Sequence, residues 1–213
     1  MSHTATGYSF DNVYGIAEVT APTAEPLQVS EVRRHLALDD SYYDDYLSSL
    51  VQVTRAQVQA HTHRQLVTAT HDLKLDTLPA GQQTLAIPYG QLQSITSISY
   101  TDTAGASQTW SSANYDVSTA REPGTVRPGH GEVWPVARME QEAATVRFVS
   151  GYGAAGAVPQ AIKQAMLLLI GHYFNNREQS IVGVTASEIP QGAHALLAPF
   201  VLGDSFTWYG QGS

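Results

Sequence analysis

The stretch TVRFVSGYGAAGAVPQAIKQAMLLLIGHYFNNR, residues 145–177, contains the change of pattern that decides the fold. Its first part, Thr145–Val149, has the short β-favouring composition of a strand, and the glycines that follow predict a turn. From Pro159, which is well placed as a first helical residue, apolar residues recur at three- and four-residue spacing to about Arg177. These residues are Ile162, Ala165, Met166, Leu169, Ile170 and Tyr173. Leu167 and Leu168 extend the apolar surface, so we expect this helix to be buried on several sides.

A second helical region lies near the start of the chain. Ser30 can cap a short helix, and the Asp39-Asp40 pair ends it and begins a longer helix over residues 41–62. Asp44 and Asp45 suit the positive end of that helix dipole. Its apolar stripe consists of Leu47, Leu50, Val51, Thr54, Val58 and His61. The stripe predicts that this helix packs against the one that begins at Pro159.

Between the two helical regions, residues 65–150 favour strands separated by turn signals. This pattern predicts a small antiparallel β-region of five to seven strands. The predicted fold class is therefore α+β with a mainly α core, in which helices from both ends of the chain pack together and the β-region is inserted.

The chain divides by composition into an arm, one domain and a tail. Residues 1–26 are rich in Thr, Ala, Gly and Pro without a period, which predicts a flexible N-terminal arm. Residues 203–213 form a polar, aromatic C-terminal tail. The single domain between them is predicted to contain helices over 30–64, the β-region over 65–150 and helices over 159–200.

Composition excludes several classes of function. Charged residues make up only 14% of the chain, which is common where much of a surface meets other protein, and the net charge is −8. An acidic balance argues against sequence-specific nucleic-acid binding. The absence of cysteine excludes disulfides, thiol nucleophiles and cysteine zinc sites. The N-terminus has no secretory signal and the longest apolar run is too short to span a membrane, so we expect a soluble protein.

Residues with catalytic or metal-binding chemistry do not form a credible site in the sequence. His61, His63 and His71 are the densest histidine cluster, but side chains two apart on a helix point in different directions. The spacing Gly151-x-Gly153-x-x-Gly156 matches a dinucleotide fingerprint literally but lacks a βαβ unit around it. The chain contains no G-x-S-x-G nucleophile motif, and its paired carboxylates are local. We therefore predict no catalytic residue, no cofactor and no metal.

Three stretches resemble a family of phage head–tail connector proteins, also called adaptors or head-completion proteins. Residues 25–66 resemble the family's opening, with a short helix, an acidic break and a T-x-R motif in which His63 stands where glycine is frequent. Residues 88–135 are similar to a prophage branch of the family. The matching positions are Val29, Glu31, His35-Leu36, Asp39-Asp40, Thr62, Arg64, Leu92–Tyr100, Tyr115-Asp-Val117, Glu122-Pro-Gly124 and Trp134-Pro135.

The third stretch, residues 145–178, resembles the family's block VRFxxGYG…VPxxIKQAxLLLxxHxYxNRE. Phe174 stands where the family has tyrosine, and in the closing segment, residues 189–201, Val201 stands where arginine is common. The resemblance spans roughly 80% of the chain, and its order and spacing are more specific than any single motif.

This resemblance implies a structural subunit without enzyme activity, in a ring of twelve copies beneath the portal protein. The implied partners are the portal, neighbouring copies and a stopper or tail-completion protein, with DNA passing through the channel without sequence-specific binding and no membrane contact. The implied location is the virion, at the head–tail interface, after assembly in the host bacterial cytoplasm. The source could be a phage, a prophage or a gene transfer particle.

The resemblance also implies that the end of the chain grips the portal. The tail carries Phe206, Trp208 and Tyr209, and clustered aromatic residues often anchor interfaces. These three residues are therefore the expected portal or subunit contacts. A small enzyme or a carbohydrate-binding β-module, with Trp110 and Trp134 stacking on sugars, is the alternative.

Overall fold

The computed structural model describes residues 14–176 and 189–202, which contain four α-helices and eight strands. The strands are β1 (Tyr14–Thr20), β2 (Ala69–Leu75), β3 (Leu85–Ala86), β4 (Leu92–Thr101), β5 (Ser107–Trp110), β6 (Tyr115–Ser118), β7 (Thr125–Pro128) and β8 (Ala144–Ser150). The helices are α1 (Val29–His35), α2 (Asp44–Thr62), α3 (Gln160–Asn175) and α4 (Gln191–Leu197). No helix in the described ranges is both long and apolar enough to cross a membrane.

The helices form one layer with its own buried cluster. α2 and α3 face each other through the apolar stripes read from the sequence, and Leu50 and Leu169 both lie in this helical cluster. Asp44 and Asp45 occupy the first turn of α2, where the helix dipole favours negative charge. Pro159 precedes α3 as its N-terminal cap residue rather than its first helical residue.

The strands form two antiparallel sheets. The larger sheet has the order β1-β2-β8-β4-β5, and the smaller has the order β3-β7-β6. Both sheets contribute to a second buried cluster, in which Leu73, Ile98 and Phe148 of the larger sheet meet Tyr115 and Val126 of the smaller one. The β-region therefore has a hydrophobic core of its own.

The expectation of a mainly α core with a small β insertion is wrong. Of the described residues, 33% are helical and 27% lie in strands. The helical cluster and the β cluster each contain sixteen buried residues, so neither is subordinate to the other. The apolar stripes of the helices are continuous, so they dominate the sequence pattern. The strands are short, and their buried residues form a second core only because both sheets contribute to it.

Strand β1 lies within the segment expected to be an irregular arm. It pairs antiparallel with β2, with Ile16 opposite Leu73. Among residues 15–20 only Ile16 packs on the β cluster, and the others are exposed. Backbone hydrogen bonds hold this strand at the sheet edge. Its side chains therefore need no alternation of apolar and polar residues, and the sequence shows none. The remainder of the predicted arm up to residue 13, and the tail with Phe206, Trp208 and Tyr209, lie outside the described residues.

Candidate assembly site at the root of the tail

The described chain ends against the C-terminal end of α2. α4 packs on the helical cluster through its buried Ala193 and Leu197. A single turn of 3-10 helix follows, and the N–H of Leu202 then donates to the carbonyl oxygen of Thr62 at 3.1 Å. We call residues 200–202 the tail root, since the tail begins at residue 203.

The side chain of Arg64 makes a second polar contact with the tail root. Its side chain is only 6% exposed. Its Nε donates to the carbonyl oxygen of Phe200 at 2.5 Å, and its Nη2 donates to Oε2 of Glu122 at 2.6 Å. Its guanidinium carbon lies 6.0 Å from the ring centre of Tyr152. One buried side chain thus links the end of α2, the turn between β6 and β7, and the tail root.

Two residues with positive φ, His63 and Gly90, leave space for the Arg64 side chain. His63 takes a left-handed conformation (φ 53°) and turns the chain out of α2. At Gly90 (φ 76°) a Cβ would lie 3.1 Å from Cγ of Arg64 and 3.2 Å from Cδ1 of Leu202. Position 90 therefore favours glycine, because of its positive φ and because a side chain there would crowd Arg64 and Leu202.

Three of the motifs that resemble the connector family meet at this cluster. The T-x-R motif supplies Arg64, the E-P-G turn supplies Glu122, and the G-Y-G turn supplies Tyr152. The side-chain amide of Gln91 donates to Glu122. In the sequence, Arg64 was identified only as a position of the T-x-R motif. The only sign in the sequence that Arg64 forms an ion pair was a carboxylate, Glu122, in another of the family-like motifs.

The histidines divide between two places. His61, at the end of α2, meets His194 of α4 with ring centroids 5.4 Å apart. Burial, followed by the charges of His194 and His63, lowers the pKa of His61. His71 lies apart from them on β2, against Phe148 and Tyr89, where burial lowers its pKa. Within the described ranges, no group of three or more His, Asp or Glu side chains is arranged to hold a metal ion.

Other residues considered for chemistry are part of the core. Nδ1 of His71 lies 3.5 Å from Oγ of Ser150, but Ser150 is fully buried and offers no access to a substrate. A Cβ at Gly151 would lie 2.8 Å from the backbone of Val67, so this glycine serves close packing. Trp110 and Trp134 are 8% and 3% exposed and lie against each other, so neither ring presents a face to a sugar.

A second surface feature lies between β7 and β8. Val133, Val136 and Met139 are 57%, 74% and 91% exposed, which is unusual for large apolar side chains so close in sequence. The backbone beneath them is fixed, because the N–H of Trp134 donates to Gly81 and that of Arg138 to Thr101. We call residues 133–139 the apolar loop. Its fixed backbone and outward apolar side chains are typical of surfaces that contact other proteins.

Solved structures of gene transfer agent (GTA) particles contain the same fold. A chain from the neck of an empty GTA particle, computed with C6 symmetry, is similar with a TM-score of 0.73 and 21% identity, covering 90% of this chain and 97% of that chain. A chain from the virion of a native GTA particle has a TM-score of 0.68 and 21% identity, and the match covers 90% of this chain and 99% of that chain. A chain from the neck of a native GTA particle, computed with C12 symmetry, has a TM-score of 0.65 and 22% identity, with coverage of 90% and 97%. No protein-family model and no curated protein matches the sequence.

Proposed function

We propose that this chain is a structural, non-enzymatic subunit of a head–tail connector ring in a phage-like particle. The ring docks under the portal, extends the DNA channel and links the head to the tail or to the next head-completion protein. The observation that carries the proposal is the fold shared with a GTA neck chain over 90% of this chain and 97% of the other. The motifs that resemble connector proteins support the same role from the sequence.

The proposed partners are the portal protein, neighbouring copies in a ring of twelve, and a stopper or tail-completion protein. Two similar chains come from necks computed with C6 and C12 symmetry, which supports a ring. The apolar loop and the low proportion of charged residues, 14%, support a surface that meets other protein. The site of action is the virion, at the head–tail interface, and assembly takes place in the host bacterial cytoplasm.

The acidic composition suits a channel that DNA must traverse. With a net charge of −8, the subunit offers little attraction to phosphate, so DNA passes without being gripped. No observation favours the alternative of a small enzyme or a carbohydrate-binding module. Its sugar-stacking candidates, Trp110 and Trp134, are buried.

The direct test is reconstitution with the portal protein of the same particle. The purified full chain is mixed with portal rings, separated by size exclusion and imaged by electron microscopy. We expect co-elution and a twelve-fold layer of added density beneath the portal. A chain that remains free at concentrations well above those of the portal, and adds no density, would contradict the proposal.

The tail is proposed to anchor this docking through Phe206, Trp208 and Tyr209. Truncation after Leu202 should leave the melting temperature almost unchanged, because the buried clusters of the described fold remain complete. The same truncation should weaken binding to portal rings, since aromatic anchors carry much of an interface's affinity. If the truncated chain docks as tightly as the full chain, the tail is no anchor. A clear loss of thermal stability would instead mean that Trp208 folds back on its own domain.

A further inference from the structure

We infer that Arg64 is a positioning residue, a clamp that sets where and in which direction the tail leaves the fold. The clamp itself is independent of the proposed function, whereas its consequence for docking rests on that function. Tail-mediated docking requires the tail to begin at a defined place, because a displaced root increases the conformational entropy lost on binding.

The contacts of the tail root converge on the end of α2. The carbonyl oxygen of Phe200 accepts from Nε of Arg64, and the N–H of Leu202 donates to Thr62, two residues before Arg64. The upstream helix α4 is held by apolar packing on the helical cluster, and the side chain of Phe200 packs on the same cluster. The N–H of Val201 donates locally to the carbonyl oxygen of Ala198 at 3.4 Å, so the two hydrogen bonds with Thr62 and Arg64 are the polar contacts that tie the tail root to the end of α2.

Arg64 can serve as a clamp because Nε and Nη2 of its guanidinium group each have a partner, whereas its buried Nη1 has none among the described residues. Glu122 binds Nη2, and Gln91 in turn donates to Glu122. The side chain of Glu122 is 33% exposed while that of Arg64 is 6% exposed, so the pair lies at the edge of the fold with the arginine inside. The planar fork of arginine can donate to Phe200 and Glu122 at once, whereas a lysine ammonium on a flexible stem cannot reproduce both directions.

Helix α2, which ends just before Arg64, offers a matched control. Nε of Arg55 lies 2.8 Å from Oε2 of Glu25, so a second Arg–Glu pair fixes a different segment, the one that leads into α1. Arg64→Lys and Arg55→Lys therefore make the same chemical change, the first just beyond the end of α2 and the second within it. Only the first touches the tail root.

The test is hydrogen–deuterium exchange of the Leu202 amide in the free full chain, together with its melting temperature. Arg64→Lys should accelerate this exchange at least about tenfold, since a hydrogen bond from a charged donor is lost. Arg55→Lys should leave it unchanged. Glu122→Gln keeps Arg64 but removes its charged partner, and should produce a smaller acceleration even if Arg64→Lys folds poorly. Unchanged exchange in both Arg64→Lys and Glu122→Gln would overturn the clamp.

Docking on portal rings tests the consequence separately. Arg64→Lys should weaken docking relative to Arg55→Lys at equal thermal stability. Faster exchange with undiminished docking would overturn the positioning role in docking and leave the local clamp in place. If the unaltered chain itself fails to dock, the proposed function fails, and the exchange result still decides whether Arg64 holds the tail root.

Discussion

At the scale of single residues, Gly124 shows how space alone can fix an amino acid. Its φ is not positive, yet a Cβ there would lie 2.3 Å from Cβ of Leu92. Its carbonyl oxygen also accepts from the N–H of Ile87 at 2.8 Å, so the backbone has little freedom to move away. The turn between β6 and β7 can therefore lie against β4 only if position 124 has no side chain.

We predict that Gly124→Ala lowers the free energy of unfolding by about 1–3 kcal/mol or more, the range for forcing atoms into a packed interior. The matched control is Gly156→Ala, because nothing lies within 4 Å of a Cβ there. That control should change stability by less than about 0.5 kcal/mol. Urea unfolding of the two variants measures the difference. Equal midpoints would show that Leu92 of β4 can move away from a Cβ at position 124 without loss of stability.

His61 makes the end of α2 sensitive to acid. Its pKa is lowered by burial and by the neighbouring His194 and His63, so the unfolded chain binds a proton at this position more readily than the folded one. Above the ordinary histidine pKa of about 6.5, His61 is neutral in the folded and the unfolded chain and does not reduce stability. Below that pH the unfolded chain binds the proton more readily, so the free energy of unfolding falls as the pH drops. The buried His71 acts in the same direction.

We predict that His61→Gln reduces the loss of stability between pH 7.5 and pH 5.5. The unaltered chain, unfolded at the same two pH values, is the reference. Urea midpoints at the two pH values give the comparison. A pH dependence that is identical in His61→Gln and the unaltered chain would mean that the contact with His194 carries no proton linkage.

At the scale of elements, the packing of α2 on α3 joins the two helical regions that are far apart in the sequence. Leu50 and Leu169 are 7% and 1% exposed in the same cluster. We predict that Leu50→Ala or Leu169→Ala lowers the free energy of unfolding by ~2–5 kcal/mol, the range for removing a large buried side chain. Val53→Ala on the same helix removes a side chain that is 53% exposed and should have little effect. Thermal melts that do not distinguish the three variants would refute this assignment of the core.

At the scale of the whole molecule, two cores of equal size are joined through the Arg64 cluster. The helical and β clusters share no buried residue, and the pairs formed by Arg64 with Glu122 and Phe200 connect them. A second connection is backbone pairing, in which the N–H of Tyr152 donates to Leu66 and that of Gln65 to Tyr89. We therefore propose that residues 27–202 unfold as one unit.

We predict a single calorimetric transition, with equal van 't Hoff and calorimetric enthalpies. Leu169→Ala in the helical cluster and Val146→Ala in the β cluster should each shift that one transition to lower temperature. If Val146→Ala separates a second, earlier transition from the first, the two cores unfold independently and the single-domain proposal fails.

Sequence pattern alone predicts the elements whose signal is local. The stripes of α2 and α3 repeat every three or four residues, so each helix and its buried face can be read from neighbours along the chain. The turn at Gly151 was readable for the same reason, since its φ of 121° is a conformation that glycine adopts readily.

Only the tertiary structure decided the extent of the β core and the composition of the site. β1 is held by backbone pairing with β2, and its exposed side chains leave no periodic signal. Arg64 meets Phe200 across 136 positions, and the ring of His61 lies against that of the distant His194 and not against His71. Contacts of this kind depend on where distant segments lie once both cores have formed, and no short-range pattern encodes that distance.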